Sequence, residues 1–331
     1  MIPTKLFFGR AADTLSEILP NRRVVVITDE NVDRLYPDLV HRYEHIIIGI
    51  GEEIKNLHTV SRIYDELMAM GADRKTFLLG IGGGIVTDIT GFVAATYMRG
   101  VEFGFVSTTL LGQVDASIGG KNGVNVEDYK NMVGTITQPS FVISDVEMLR
   151  TLPERELRAG MAEVVKSAIV GDRELFDFIA QNASADIYRS TESMQYIVRR
   201  AMAVKMAIVE EDERENGKRI MLNLGHTIGH AIEKSTHELN HGEAVAVGML
   251  LISRVACRLG ILNLADEVAI EELLLKLGFS FDLPVSMEEV LKATHKDKKK
   301  DEGVINVVLP VEIGECEVRT MTFKAIERLF L

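Results

Sequence analysis

Cysteine and proline are scarce, with two and seven among 331 residues. Cys257 and Cys316 follow no paired spacing, which argues against a disulfide framework or a zinc ribbon and for a reducing compartment. The opening Met1-Ile2-Pro3-Thr4-Lys5 does not begin the long apolar stretch of a secretory signal. No later apolar run is long enough to span a bilayer; residues 244–252 form one of the longest, and Gly248 interrupts it. A cytoplasmic location is therefore expected. Internal repeats, low-complexity tracts and flexible linkers are also missing. Cations are outnumbered, 37 against 49 acidic residues, and the net charge of −12 argues against nucleic-acid and anionic-membrane partners. A small anionic substrate remains compatible, provided that Lys and Arg concentrate locally.

What is present describes a packed globular chain: 47% hydrophobic and 26% charged residues, at a length sufficient for two domains. Residues 24–29, 46–50, 77–81, 101–107 and 140–144 are short β-branched or apolar runs that read as buried strands. Between them, Val60, Ile63, Tyr64, Leu67 and Met70 recur at helical spacing. Strands separated by helices predict an α/β domain with a mainly parallel sheet, which places ligands at the carboxyl ends of its strands. Beyond Leu152-Pro153 the texture turns helical, over 154–170, 173–181, 193–212, 220–233, 242–259 and 266–277. Residues 304–309 and 316–318 are expected to form a small hairpin. The division predicted is 1–151, an α/β domain, and 152–331, a mainly helical one, with the cleft between them as the default site.

Gly80-Ile81-Gly82-Gly83-Gly84 follows a strand and opens an apolar helix. Glycines there let a ligand approach the backbone, and the amides of a helix start favour phosphate. A plain strand-to-helix turn explains a glycine cluster equally well, but its place after a strand favours a pyrophosphate site. The spacing is not the common Gly-x-Gly-x-x-Gly. Asp29 and Glu52, near strand ends, are candidates for a ribose hydroxyl, although strand-end carboxylates often only cap helices.

His226 and His230 lie four apart on one helical face, and His241 opens the next helix, so three histidines fall within 16 positions. Each stands beside glycine or close to it, which favours a metal or catalytic site. Imidazole and carboxylate ligands suit zinc or cobalt. Spacing alone does not choose the carboxylate; Glu163, on an otherwise apolar helical stretch, needs a partner and is the best candidate. Lys166 shares its face, and an intrahelical ion pair is the simplest account of that spacing. Gln113 to Asn125, followed by Lys130-Asn131, is glycine-rich, polar and basic; Lys121 beside Gly119-Gly120 can bring amides and an ammonium onto one anion. Lys205, Arg219 and Asn223 lie on or beside the segments leading to His226. The basic run at 296–300 reads as a solvated loop unless it folds over the site.

Together these segments resemble the 3-dehydroquinate synthase family from about residue 29 to residue 309. The most specific parts are Gly91 to Gly100, Thr108 to Asp115, Gly119 to Asn125, Leu152 to Glu163, Asn223 to Glu233 and His241 to Met249. The resemblance implies an NAD-binding α/β domain, a helical domain holding one divalent metal, zinc or cobalt, and a homodimer. It implies conversion of a sugar phosphate, 3-deoxy-D-arabino-heptulosonate 7-phosphate, to 3-dehydroquinate and phosphate in aromatic biosynthesis. A ring hydroxyl is oxidised, phosphate is eliminated, the ketone is reduced again, and an aldol step closes the ring, so that NAD is regenerated. By the resemblance Glu163, His226 and His241 bind the metal, and His230 contacts substrate. Asp29, Glu52, Lys55, Gly83, Gly84, Ile85, Val86, Thr87, Asp88, Thr108, Thr109, Lys121, Lys130, Leu149 and Thr151 are the implied NAD positions. Arg99, Asp115, Lys121, Asn131, Lys166, Lys205, Arg219, Asn223 and one of Lys298 and Lys299 are the implied substrate or catalytic positions, with Arg99 reaching the neighbouring subunit's substrate phosphate. Thr87, Ser107, Asn122, Met148 and the stretch 126–129 depart from the family's usual residues. Other sugar-phosphate cyclases, a metal-dependent polyol dehydrogenase and a dinucleotide sensor are the competing readings. Gly119-Gly120-Lys121 and Asn223 favour the synthase.

Overall fold

The computed structural model describes residues 4–127, 129–184, 186–236, 238–297 and 304–330. The chain divides into two compact units, Met1–Pro153 and Glu154–Leu331.

In chain order, the first unit contains β1 (Lys5–Phe8), α1 (Ala11–Ile18), β2 (Val24–Thr28), α2 (Glu30–Leu35), α3 (Pro37–Val40), β3 (Glu44–Ile47), α4 (Leu57–Ala69), β4 (Phe77–Gly82), α5 (Gly84–Thr96), β5 (Phe103–Ser107), β6 (Lys121–Val126), β7 (Tyr129–Ile136) and β8 (Phe141–Ser144). Six strands form one parallel sheet in the order β1-β8-β5-β4-β2-β3. Its residues alternate between two apolar layers. Val25, Ile27, Leu78 and Phe105 pack with Ile63, Leu67 and Ile89, the α4 and α5 side. Val24, Val26, Leu79, Ile81 and Ile143 face the opposite way with Leu15 of α1. Both faces are covered, which explains why the strands read as continuous apolar runs rather than alternating ones.

The chain leaves β3 at the sheet edge and returns past β2 to β4, so strand progression reverses between β2 and β4. That reversal is where parallel sheets bind ligands. Thr28 Oγ1 donates to the carbonyl of Ile81 at 2.8 Å and ties these two strand ends together. The glycine loop begins at the same place, just after β4. Residues 121–136, within and beyond the glycine-rich basic stretch and not expected as strands, pair as an antiparallel hairpin, β6 with β7.

The second unit contains α6 (Glu154–Gly171), α7 (Arg173–Asn182), α8 (Thr191–Glu211), α9 (His226–Ser235), α10 (His241–Arg258), α11 (Leu264–Lys276), α12 (Met287–Asp297), β9 (Val304–Glu312), β10 (Glu315–Thr322) and α13 (Phe323–Phe330). The expected hairpin is β9 with β10, antiparallel and longer than the sequence suggested. Helix α6 is buried on every side from Ala159 to Val170, among α7, α8, α10 and β10. A helix apolar all round belongs in a core. Two charged residues, Glu163 and Lys166, nevertheless sit in it.

The continuous helix expected over 220–233 is broken. Residues Lys218–Asn223 make a short 3-10 turn, Gly225 takes a left-handed φ of 76°, and α9 starts only at His226. A Cβ on Gly225 would lie 2.7 Å from Met249 Cγ and 2.8 Å from the Val245 carbonyl. Close packing against α10 and positive φ both require glycine there.

Candidate active site

In the first unit the glycine loop joins β4 to α5. Gly83 caps α5 and, as a glycine, has no side chain to occupy the amides of its first turn. The loop is held tight: a Cβ on Gly82 would lie 2.4 Å from Val86, one on Gly83 2.8 Å from Thr109, and one on Gly84 3.0 Å from Ala116. This is a bare backbone cradle at the reversal point of the sheet, and it fits a dinucleotide pyrophosphate. Thr87 Oγ1 turns back to the Gly84 carbonyl at 3.0 Å. Thr108 donates its amide to Gly82, and Thr109 Oγ1 accepts from the Gly112 amide, both at 3.0 Å.

Several candidates around the loop are brought together. Lys55 forms a close ion pair with Asp88 and donates to Asn131 Oδ1 at 2.6 Å. The Asn131 amide donates to Asn125 Oδ1 at 2.9 Å, and Asn125 Nδ2 to Glu52 Oε1 at 2.7 Å. Glu52, Lys55, Asp88 and Asn131 thus share one polar network, with Asn125 at its hub. Asp29 caps α2, accepting from the amides of Asn31 and Val32, and burial holds its carboxyl above the usual range. The capping role weighed from sequence is present at this residue. Thr151 Oγ1 bonds the Tyr36 hydroxyl at 2.8 Å, next to buried Leu149.

Asp115 lies in a widened turn, Gly112–Ala116, and Lys121 and Lys130 are exposed on the hairpin strands. Arg99 is exposed beyond α5, in a turn where Met98, Arg99 and Gly100 all have positive φ, 48°, 68° and 119°. Two consecutive non-glycine residues in that region are strained, and such strain concentrates at functional positions. The departure at Asn122 has a local explanation. Its side chain donates to the carbonyls of Gly120 and Thr137 and occupies the place of a Cβ on Gly91, 1.9 Å away. Met148 is buried in the apolar layer beneath the sheet.

In the second unit, three helices converge through glycines. A Cβ on Gly242 would lie 2.3 Å from Ala159 Cα of α6, and one on Gly248 2.1 Å from the Gly225 carbonyl. This close approach brings Glu163 of α6, His226 of α9 and His241 of α10 together, with one ligand atom from each within 4.8 Å of the others. Both imidazole Nε2 atoms face the same carboxylate oxygen: His226 at 3.6 Å and His241 at 3.4 Å from Glu163 Oε1. Lys166 pairs closely with Glu163 Oε2. Glu163 is 0% exposed and Lys166 2%, yet neither carboxylate oxygen has a normal hydrogen-bond partner. A buried carboxylate facing cations and imidazoles without a hydrogen bond is the donor set of a divalent ion, and the residues fit one.

The electrostatics show a pocket that holds positive charge against Glu163. Burial alone would raise the Glu163 carboxyl, but Lys166, His226 and His241 outweigh it and hold the group well below its ordinary range. Burial pushes His226 down to about 3, leaving a neutral imidazole. Burial also disfavours a charged His241, but Glu163 and Glu233 on either side raise it to about 10.

His230 lies one turn along α9, its ring 5.2 Å from His226 and 6.0 Å from His241. Lys205 and Arg219 are buried cations on α8 and in the 3-10 turn before α9. Asp212 shapes the loop before Arg219 by accepting from the amides of Asn216, Gly217 and Arg219. Asn223 Nδ2 donates to Glu215 Oε1 at 2.6 Å, and Glu215 has a left-handed φ of 60°. Glu215, Asn125 and Glu233 were not singled out from sequence; only an acidic or amide side chain close to a motif hinted at them. Lys298 and Lys299 lie outside the described residues.

Residues 45–159 match the description 3-dehydroquinate synthase N-terminal, and residues 160–300 match 3-dehydroquinate synthase C-terminal. The curated 3-dehydroquinate synthase of Dictyoglomus thermophilum is 40% identical over 315 residues, covering 92% of this chain and 89% of that protein. Among solved structures, 2-epi-5-epi-valiolone synthase from Streptomyces hygroscopicus, with NAD+ and Zn2+ bound, superposes with a TM-score of 0.90 at 29% identity, covering 99% of this chain and 96% of its own. A 2-deoxy-scyllo-inosose synthase complexed with carbaglucose-6-phosphate, NAD+ and Co2+ gives 0.87 at 26% identity, covering 98% and 95%. The chain belongs to the 3-dehydroquinate synthase family.

Proposed function

We propose that this chain is a 3-dehydroquinate synthase, converting 3-deoxy-D-arabino-heptulosonate 7-phosphate to 3-dehydroquinate and phosphate with NAD and one divalent metal, zinc or cobalt. The observation that carries the reading is the convergence of Glu163, His226 and His241 beside buried Lys166, in a chain of this family. The NAD+ and Zn2+ or Co2+ of the two solved cyclases support the cofactor pair. When bound, NAD supplies a reversible hydride acceptor and the ion a Lewis acid.

The chain's own residues supply the rest. The glycine cradle and the first-turn amides of α5 hold the pyrophosphate, with Thr108 and Thr109 closing its side. Glu52, Lys55, Asp88 and Lys130 fix the remainder of the dinucleotide, with Asp29, Leu149 and Thr151 at its edge. Glu163, His226 and His241 hold the ion, and His230 is left to touch substrate. Lys166, Lys205, Arg219 and Lys121 neutralise a substrate carrying a carboxylate and a phosphate, while Asp115, Asn131 and Asn223 orient its hydroxyls. Lys298 or Lys299 is proposed to join them. This dense local cation set explains how an acidic protein takes an anionic substrate. An uncharged polyol would have no use for it, which disfavours the dehydrogenase reading. A homodimer, with Arg99 reaching the partner's substrate phosphate, and a cytoplasmic location complete the proposal.

Phosphate release from the heptulosonate phosphate tests it. Turnover should require metal, stop on thorough chelation and return with Zn2+ or Co2+. Full activity in metal-free protein would overturn the metal assignment, and no phosphate release by the metal-loaded, NAD-saturated enzyme would overturn the substrate.

A further inference from the structure

We infer that Glu233 is a positioning residue for the metal centre, holding His241 in the tautomer and orientation that aim its Nε2 at Glu163. The inference rests on reading Glu163, His226 and His241 as the ligands. Glu233 Oε2 lies 3.1 Å from His241 Nδ1, while the same ring presents Nε2 to Glu163 Oε1 at 3.4 Å. An imidazole that donates its Nδ1–H to a carboxylate presents its Nε2 lone pair to an ion once the ion has displaced the Nε2 proton. His226 is arranged in the same sense by a different acceptor: its Nδ1 lies 3.1 Å from the Leu224 carbonyl, and its Nε2 also faces Glu163. Both rings are therefore held from behind, one by backbone and one by a side chain.

The two supports differ in what they need. The Leu224 carbonyl is set by the turn that leads into left-handed Gly225. His241 is the first residue of α10, whose amino end is fixed by reciprocal bonds between Asn240 and Glu243. That capping box positions the His241 backbone but leaves its side-chain torsions open. Glu233, on α9 with His226 and His230, supplies the missing restraint and ties the two helices at the ring. A side chain 12% exposed is also well shielded from competing water.

Two other groupings give contrast. His230, Glu233 and His241 also bring ligand atoms within 4.8 Å. They share His241 with the first set, so Glu233 could instead be a ligand to a second ion. Asp33, His41 and His45 meet the same distance criterion, but their rings stack at 4.8 Å and 12° from parallel, with Asp33 on His41 Nε2 at 2.8 Å. Near-parallel rings do not converge their in-plane lone pairs on one point, so this group is a hydrogen bond and a ring stack.

The test is metal affinity, read without turnover. Metal-free protein is titrated with Zn2+ against a chromophoric chelator, and far-UV circular dichroism checks folding. Wild type should take up one ion per chain. Glu233→Ala should still take up one, about 10–100-fold more weakly. Glu233→Gln, whose amide oxygen still accepts the Nδ1–H, should fall between them, and it preserves the test if the alanine variant does not fold. Co2+-loaded Glu233→Ala should also show shifted visible bands, as the re-aimed imidazole changes the ligand field. Wild-type affinity in Glu233→Ala would overturn the proposal. So would uptake of two ions by wild type and one by the variant, which would make Glu233 a ligand. Undiminished affinity in Glu163→Gln would instead overturn the ligand set itself, and with it this role.

Discussion

The residues that matter most are charges placed where charges are costly. Glu163 and Lys166 are buried within the central helix of the second unit, and each is tolerable only because of the other and of the imidazoles. Lys166→Ala should remove about 3–5 kcal/mol from the metal-free fold, because it strands a buried carboxylate. Zn2+ should then raise the melting temperature of the variant more than that of wild type, since the ion replaces the lost cation. Equal shifts would mean that Lys166 and the ion do not share Glu163. The sequence showed Glu163, the three histidines and the cations, because family motifs are contiguous there. It did not show the roles of Glu233 or Glu215: Glu233 only closes a motif whose histidines draw the attention, and Glu215 stands on a polar segment where a carboxylate excites no suspicion. Their partners become visible only when α9 meets α10 and the loop before Asn223 closes on itself.

At the scale of elements, glycines set the geometry. Gly242 permits α10 to touch the α6 backbone, which places His241 beside Glu163. Gly242→Ala cannot be absorbed by a side-chain shift, because the obstructing atoms are the Ala159 backbone. It should cost about 1–3 kcal/mol and weaken metal binding together with stability. Unchanged metal affinity alongside lower stability would show that the helix contact does not position His241. Long apolar strands and helices were legible in the sequence to within a few residues. The hairpin at 121–136 was not, because Gly119 and Gly120 before it and Gly123 and Gly134 within it carry no strand pattern, although backbone pairing across Gly123 and Gly134 requires glycine. The interruption at Gly225 was missed for a related reason: apolar spacing continued through it, while the left-handed φ that breaks the helix leaves no mark on periodicity. β1 was not read as a strand; none of its four residues is fully buried, and its run Lys5–Phe8 has no β-branched residue.

For the whole molecule, the parallel sheet was readable as strands alternating with helices and the second unit as a run of helices, while the strand order, and with it the reversal point, came only from the structure. The subunit arrangement is a question of function, and Arg99 addresses it. In a strained, exposed turn it would be worth about 0.3–1 kcal/mol as a helix-end charge, but roughly 1.5–3 kcal/mol bonded to a substrate phosphate. Arg99→Ala should fold, dimerise and lose at least about tenfold in catalytic efficiency. If Arg99 serves the partner's site, heterodimers of Arg99→Ala with Lys166→Ala carry one doubly defective site and one intact site, and activity partly returns. No rescue in verified heterodimers would place Arg99 within its own subunit's chemistry.

The most direct measurement follows phosphate and NADH in one reaction, with a trace of NAD, metal-loaded enzyme and excess heptulosonate phosphate. A cyclase that oxidises and then reduces the same ring position consumes no NAD. Many phosphates should be released for each NAD present, with no net NADH at completion. NADH rising one-for-one with product would contradict the account and make the chain a dehydrogenase on the same scaffold.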